Sequence, residues 1–193
     1  RAPLGGPLGQ RPVDDLPRSD RLEELTFDLR LARVRADQIG EVLAVHLPDD
    51  DPFRPWAAGL AAHGFGLDVA GMLTGSIDLA ARTPDGASFF VADYKTNQLG
   101  AEAGYTAGEL VVAMEHAHYP LQAALYLVAA HRYLRWRLAS YDPDRHLAGA
   151  AYLFLRGMHP AADAGEPPGV LWWRPPAGAI VALDRLLAEG ASR

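Results

Sequence analysis

Of the 18 lysine and arginine residues in this 193-residue chain, a single one is lysine, Lys95, and it stands two positions after an aspartate in Val91-Ala92-Asp93-Tyr94-Lys95. A chain that carries nearly all its positive charge on arginine keeps a lysine where a guanidinium will not serve. A compact ammonium can lie beside a phosphate or a water. Residues 71–82 and 87–95 each alternate with period two, and Thr83-Pro84-Asp85-Gly86 between them is turn chemistry, so the two segments predict a hairpin. With the turn centred on Pro84-Asp85, Asp78 falls opposite Val91, and Asp93 is its diagonal neighbour on the same face. Lys95 shares that face because side chains two apart in a strand point the same way. Diagonal neighbours have Cα atoms about 7–8 Å apart, close enough for both carboxylates to reach one cation.

Two carboxylates aimed at each other repel unless one is protonated or a cation lies between them. Hard oxygen ligands that leave positions for water suit Mg²⁺ or Mn²⁺. With an ammonium alongside, the set matches metal-assisted phosphodiester hydrolysis: the cation polarises the phosphoryl oxygen and acidifies a water, and Lys95 positions that water or offsets developing charge. Asp-x-Lys by itself is a common tripeptide, and taken alone it reads as a surface ion pair. Towards the turn this face becomes apolar, with Ala80 and Phe89. The opposite face carries Leu73, Ile77, Leu79, Phe90 and Ala92 and is expected to pack on helices.

These residues need elements to hold them. Leu25 to Leu31 alternates as a half-buried strand; Ile39, Val42, Leu43 and His46 lie on one helical face. Asp49-Asp50-Asp51 before Pro52 reads as the capped start of a second helix through Phe53, Trp56 and Leu60, ending near Gly64, and this accounts for the triple aspartate better than a metal site does. Helices follow from about Gly104 to His118 and from Pro120 to Arg137, then an interior strand from Leu147 to Leu155, a Pro/Gly-rich loop over 159–177 and a closing helix over Ala179–Leu187. Gln122 and Tyr126 sit one turn apart on a face of the second long helix, beside an apolar Leu121/Leu125/Val128 stripe. This order predicts an α/β fold, a central mixed β-sheet flanked by helices. Residues 1–20, with four Pro and three Gly, read as a flexible tail or interdomain linker with little to bury, and 21–193 as one domain.

The motifs together resemble the RecB-like nuclease family of the PD-(D/E)xK superfamily. The matching stretches are Gly71 to Leu79, Asp93 to Asn97, Gln122 to Tyr126, His131 to Leu134 and Tyr152 to Gly157, in the right order over most of residues 24–187. The resemblance implies a restriction-endonuclease-like core in which Asp78 and Asp93 bind the catalytic metal, with the Tyr94 main-chain carbonyl as a further ligand and Lys95 as the catalytic lysine. It implies Mg²⁺, with Mn²⁺ or Ca²⁺ able to occupy the same site. Gln122, Tyr126, Thr96 and Asn97 become DNA-contacting or supporting residues, and Glu24 occupies a position where the wider superfamily often carries an acid. It also implies exodeoxyribonuclease action on single strands fed by a helicase domain of the same parent chain, with RecC- and RecD-like subunits, in recombinational repair in a bacterial cytoplasm. The same fold used as a catalytically weak docking platform, for instance for the RecA recombinase, is the rival expectation. One departure stands out: the family's metal-binding histidine precedes the first strand, and here no histidine precedes Leu25. The chain is expected to be a fragment of a larger helicase-nuclease chain, and either the histidine-bearing helix lies outside it, leaving the isolated fragment weakly active, or the metal site is incomplete; His46 and His63 come after the strand and read as helix-face residues.

Bulk properties bound these readings. The net charge of −6 argues against coating nucleic acid broadly, so phosphate chemistry requires locally placed cations. Without cysteine there are no disulfides or thiolate metal sites, and no apolar run reaches membrane-spanning length. Glu115-His116-Ala117-His118 places its histidines at i, i+2, which point apart on a helix, so a cationic helix end is expected rather than zinc. His131-Arg132-Tyr133-Leu134-Arg135-Trp136-Arg137 mixes bases and aromatics as nucleic-acid surfaces do, though a solvated helix face with inward aromatics fits equally. No Gly-x-Ser-x-Gly elbow, P-loop or dinucleotide fingerprint is present.

Overall fold

Long antiparallel pairing and one parallel crossover organise the chain. A computed structural model describes residues 1–64, 66, 68–100, 104–160 and 167–190. Strand β1 (Arg21–Arg35) is followed by α1 (Ala36–His46), α2 (Arg54–His63), β2 (Asp68–Arg82), β3 (Phe89–Lys95), α3 (Ala107–His116) and α4 (Tyr119–Arg137). Then come α5 (Pro143–His146), β4 (Leu147–Phe154), β5 (Val170–Trp173) and α6 (Ala177–Glu189). The strands lie in the order β1-β2-β3-β4-β5, with β3 and β4 parallel and the other neighbours antiparallel. This is the expected mixed sheet flanked by helices. Parallel strands need a long crossover, which α3 to α5 supply, and β4 is buried along its whole length, hence its unbroken apolar run.

Helix boundaries follow local chemistry. Thr106 and Glu109 form a capping box at the start of α3, and Pro120 sits in the first turn of α4. Asp51 accepts from the Phe53 N–H (2.9 Å) and from the Trp173 indole (3.1 Å), so it docks the entry to α2 onto β5 rather than capping the helix, whose N-cap is Phe53.

Three expectations are corrected. The first concerns the hairpin register. Leu79 pairs with Ala92, which places Asp78 opposite Asp93 rather than opposite Val91. A two-residue hairpin turn needs φ > 0 at its first central residue, and Pro84 is fixed near −65°. The loop therefore runs to four residues: Thr83 N–H donates to the Ser88 carbonyl, Gly86 N–H to the Thr83 carbonyl, and Gly86 adopts φ 72°.

The second concerns the first 20 residues. They do not hang free: three turns of 3₁₀ helix carry Leu4, Leu8 and Leu16 onto the sheet, where they are buried against Leu79, Ala81, Phe90, Ala92 and Leu153. The Trp172 indole donates to the Leu4 carbonyl (2.6 Å). So the supposedly helix-covered face divides. Leu73 and Ile77 join the helix-side core, whereas Leu79, Phe90 and Ala92 lie under the N-terminal segment.

The third is β5, four apolar residues inside a segment read as loop. They pair with β4 from Leu153↔Val170 to Ala150↔Trp173, and their tertiary partner outweighs the surrounding Pro and Gly. Likewise β1 extends beyond Leu25–Leu31 at both ends because β2 is long enough to pair it.

Candidate active site

The sheet forks at Asp78. The β2–β3 ladder stops at Leu79↔Ala92, after which β2 continues along β1 while β3 continues along β4 to Lys95↔Phe154. On the far side of β2, Glu24 faces Asp78 in register but drops out of the ladder between Glu23↔Leu79 and Leu25↔Ile77, with φ 55°. Where Tyr94 N–H would have met a β2 carbonyl, the Asp78 carboxylate accepts it instead (2.9 Å). The Lys95 carbonyl accepts from Leu155 N–H on the β4 side. Alternation along the strand therefore turns the Tyr94 N–H and carbonyl towards the fork. Asp78 and the Tyr94 main chain thus meet at the fork, and Asp93 precedes Tyr94 at the register position opposite Asp78.

Lys95 is enclosed from every side. Its ammonium lies 2.7 Å from the Asp93 carboxylate and donates to Gln122 Oε1 (2.9 Å). It also lies 3.8 Å from the centroid of the Tyr119 ring and 5.3 Å from that of Tyr152. Gln122 is held in one amide orientation: Oε1 also accepts from the Tyr152 hydroxyl (3.1 Å), and Nε2 donates to the Tyr126 hydroxyl (2.9 Å). Tyr152 and Tyr119 stack, and the Tyr152 hydroxyl lies 3.2 Å from the Tyr119 carbonyl.

The electrostatics are those of a carboxylate short of positive charge. Asp93 is only 5% exposed. Burial pushes its carboxyl above the ordinary 3.8, Lys95 and the Tyr126 hydroxyl pull it back, and the Asp78 charge raises it further. Tyr126 is pushed up to about 12, first by burial and then by the Asp93 charge, and burial likewise raises Tyr152. Both phenols therefore remain neutral donors at neutral pH.

Of the residues singled out from sequence, Asp78, Asp93, Lys95, Gln122 and Tyr126 come together. Thr96 and Asn97 follow directly: the Thr96 carbonyl accepts from Arg156, and the Asn97 side chain accepts from the Tyr119 hydroxyl (3.3 Å). Glu24 is exposed at the register position facing Asp78. His46 and His63 bond to carbonyls of their own helices, at Val42 and Gly59. Among the described residues no group of three or more His, Cys, Asp or Glu side chains is arranged to hold a metal. Sequence reasoning missed Tyr119 and Tyr152. Tyr119 had a readable signal, since it lies three residues before Gln122 on one helical face. Tyr152 had none, because only the β3–β4 pairing brings it over the lysine.

Residues 9–176 match the PD-(D/E)XK nuclease superfamily. The chain belongs to the PD-(D/E)XK nuclease superfamily. It is 46% identical over 97% of its length to the RecBCD enzyme subunit RecB of Mycobacterium tuberculosis, and 46% identical over 87% to that of Mycolicibacterium smegmatis. The Escherichia coli subunit is 41% identical over 70% of the chain. The matches span 18%, 17% and 11% of those relatives' lengths, so the chain corresponds to a small part of each. Nucleases of this superfamily generally use divalent metals, and the donors at the fork suit one. Two carboxylates and a carbonyl are hard oxygen ligands that leave positions for water, and the raised Asp93 pKa marks a carboxylate that a cation would stabilise. Among the described residues no helix is long and apolar enough to cross a membrane.

Proposed function

We propose that this chain is the catalytic nuclease domain of a RecB-type helicase-nuclease, hydrolysing DNA phosphodiester bonds with Mg²⁺ held by Asp78, Asp93 and the Tyr94 carbonyl. The observation that carries the reading is the fork, where two acidic side chains and the chain's only lysine meet at the point at which β2 leaves β3. Bound there, the cation would polarise the phosphoryl oxygen and acidify a water. Lys95 is poised beside it. Once Asp93 shares its charge with a cation, the ammonium keeps Gln122 and the Tyr119 ring, and a donor is left for the water or the phosphate. Gln122 fixes Lys95 and Tyr126 in one arrangement, so its role is positioning rather than contact with DNA. By likeness to the RecB subunits, the substrate is single-stranded DNA delivered by a helicase domain of the parent chain, cut exonucleolytically during double-strand-break repair. RecC- and RecD-like subunits and RecA are the expected partners, in a bacterial cytoplasm.

Cleavage of single-stranded DNA by the intact parent tests this. Asp93→Ala and Lys95→Ala should each remove it, by about 10³-fold or more, while unwinding persists. Nuclease activity that survives either change refutes the assignment.

A second reading is a non-catalytic docking platform that keeps the nuclease fold. Calorimetric titration with Mn²⁺ separates the two. The nuclease reading expects a site that Asp78→Ala abolishes, and the platform expects none, even in the intact parent.

A further inference from the structure

Three turns beyond the fork, helix α4 carries a second constellation that the reaction does not use. Eleven residues advance an α-helix by about 16 Å and return it to nearly the same face. Tyr133 therefore repeats the angular position of Gln122, and Arg137 that of Tyr126. Both line a cavity of about 390 Å³, whose other wall includes Arg82, Phe89 and Val91 of the hairpin. Phe89 and Val91 share a face of β3 with Asp93, so helix wall and strand wall both lead back to the active site.

The floor of the cavity is apolar and its rim is cationic. Arg82 and Arg137 are exposed, and among the described residues neither has an ion-pair partner. Arg132 and Arg135 of the same helix, in contrast, are occupied by Asp184. Each free guanidinium lies against a ring: Arg82 is 5.3 Å from the Phe89 centroid and Arg137 is 5.2 Å from that of Trp136. Trp136 is 76% exposed and Tyr133 37%, and their rings meet edge-on at 6.3 Å. Asp20 and Arg21 complete the charged lining, and since Arg21 is ion-paired with Glu23, Arg82 and Arg137 are the cations left for a ligand. Such a surface suits an anion that also carries flat apolar faces. An unpaired nucleotide has both: its phosphate matches the guanidiniums and its base the exposed rings. A paired base has no free face to offer, so the chemistry selects single strands.

We infer that this cavity, with the exposed Trp136 ring beside its Tyr133 wall, is a nucleotide subsite for single-stranded DNA, in which Arg82 and Arg137 hold phosphate and Tyr133 and Trp136 stack a base. The inference rests on the nuclease reading above and extends it. At about 3.4 Å per stacked nucleotide, the subsite lies within about five nucleotides of the phosphate at the fork.

Fluorescence anisotropy of a labelled oligothymidylate, without divalent cation so that nothing is cut, tests it on the chain as described. The double variant Arg82→Ala/Arg137→Ala should bind on the order of tenfold more weakly, with a salt slope shallower by about 1–2. Arg82→Lys/Arg137→Lys should retain most of both, which separates lost charge from lost fold. Trp136→Ala/Tyr133→Ala should bind the oligothymidylate about as weakly as the parent chain binds an abasic oligonucleotide of the same length. An Arg82→Ala/Arg137→Ala variant with the parent's affinity and salt slope overturns the subsite. Should the parent still cleave DNA and lose that activity on Asp93→Ala, the nuclease reading survives that failure. A parent that neither binds nor cleaves removes both.

Discussion

Helix α4 meets a buried aspartate near each of its ends, and the two surroundings have opposite charge balances. At its C-terminal half, Asp184 of α6 is 5% exposed, as Asp93 is at the N-terminal half. Asp184 is enclosed by Arg132, Arg135 and His131, the last also bonded to the Tyr141 hydroxyl (2.9 Å). Burial and the two arginines hold the His131 pKa below its ordinary 6.5, against the pull of Asp184, so the imidazole stays neutral. Two permanent cations for one carboxylate leave no requirement for a further ion, and the cluster fastens α4 to α6. Asp93 has one ammonium and a second carboxylate in register with it, and burial, with the Asp78 charge added, pushes its pKa up. The same helix thus carries a satisfied cluster and an unsatisfied one. Of the two, only the unsatisfied cluster has a reason to bind a metal.

The largest effect that would sharpen this contrast is on catalysis. The loss of cleavage on Asp93→Ala should have no counterpart in Asp184→Ala, whose folded fraction should still cut DNA. The second largest is on stability. Asp184→Ala leaves cations uncompensated inside and should cost about 3 kcal/mol in chemical denaturation, at the low end for broken buried pairs because Arg135 is mostly exposed. A smaller effect concerns the lysine enclosure. Tyr119→Leu should lower kcat about tenfold with little change in KM, while Tyr119→Phe keeps the ring and most of the rate; equal losses in both would mean that the ring face does not hold Lys95. Smallest is a pH effect on the metal-free protein. Since the native Asp93 pKa is raised, the stability it contributes is complete below 3.8 and is lost as pH rises through the raised value. Asp93→Asn should flatten that slope in denaturation curves measured across the interval. An unchanged slope would mean the carboxyl is not the group that burial perturbs.

Much of the site was legible because strand parity survives errors of register. Moving the hairpin by two residues changed the partner of Asp78 from Val91 to Asp93 but left Asp78, Asp93 and Lys95 on one face. Gln122 and Tyr126 were legible for a similar reason, since i, i+4 fixes a helical face without knowledge of the tertiary fold. What stayed hidden depends on contacts between distant segments. The fork requires knowing that β1 captures β2 while β4 captures β3, and Tyr152 reaches Lys95 only through that parallel pairing. In the stretch His131–Arg137 the alternative of inward-facing aromatics fails, because Tyr133 and Trp136 point outward. Periodicity was ambiguous there, because α4 is apolar around much of its circumference. Residues 1–20 were misread because Leu4, Leu8 and Leu16 are spaced along irregular turns that no single repeat describes.

That N-terminal segment has a practical consequence for anyone cutting the gene. Trimmed back to Arg21 as if it began at the first strand, the protein would lose Leu4, Leu8 and Leu16 and uncover Leu79, Phe90, Ala92 and Leu153 to water. A greasy sheet laid bare is an invitation to self-association. Insoluble material from such a truncation would then report a missing lid on the back of the sheet, and would say nothing about the candidate catalytic residues on the front.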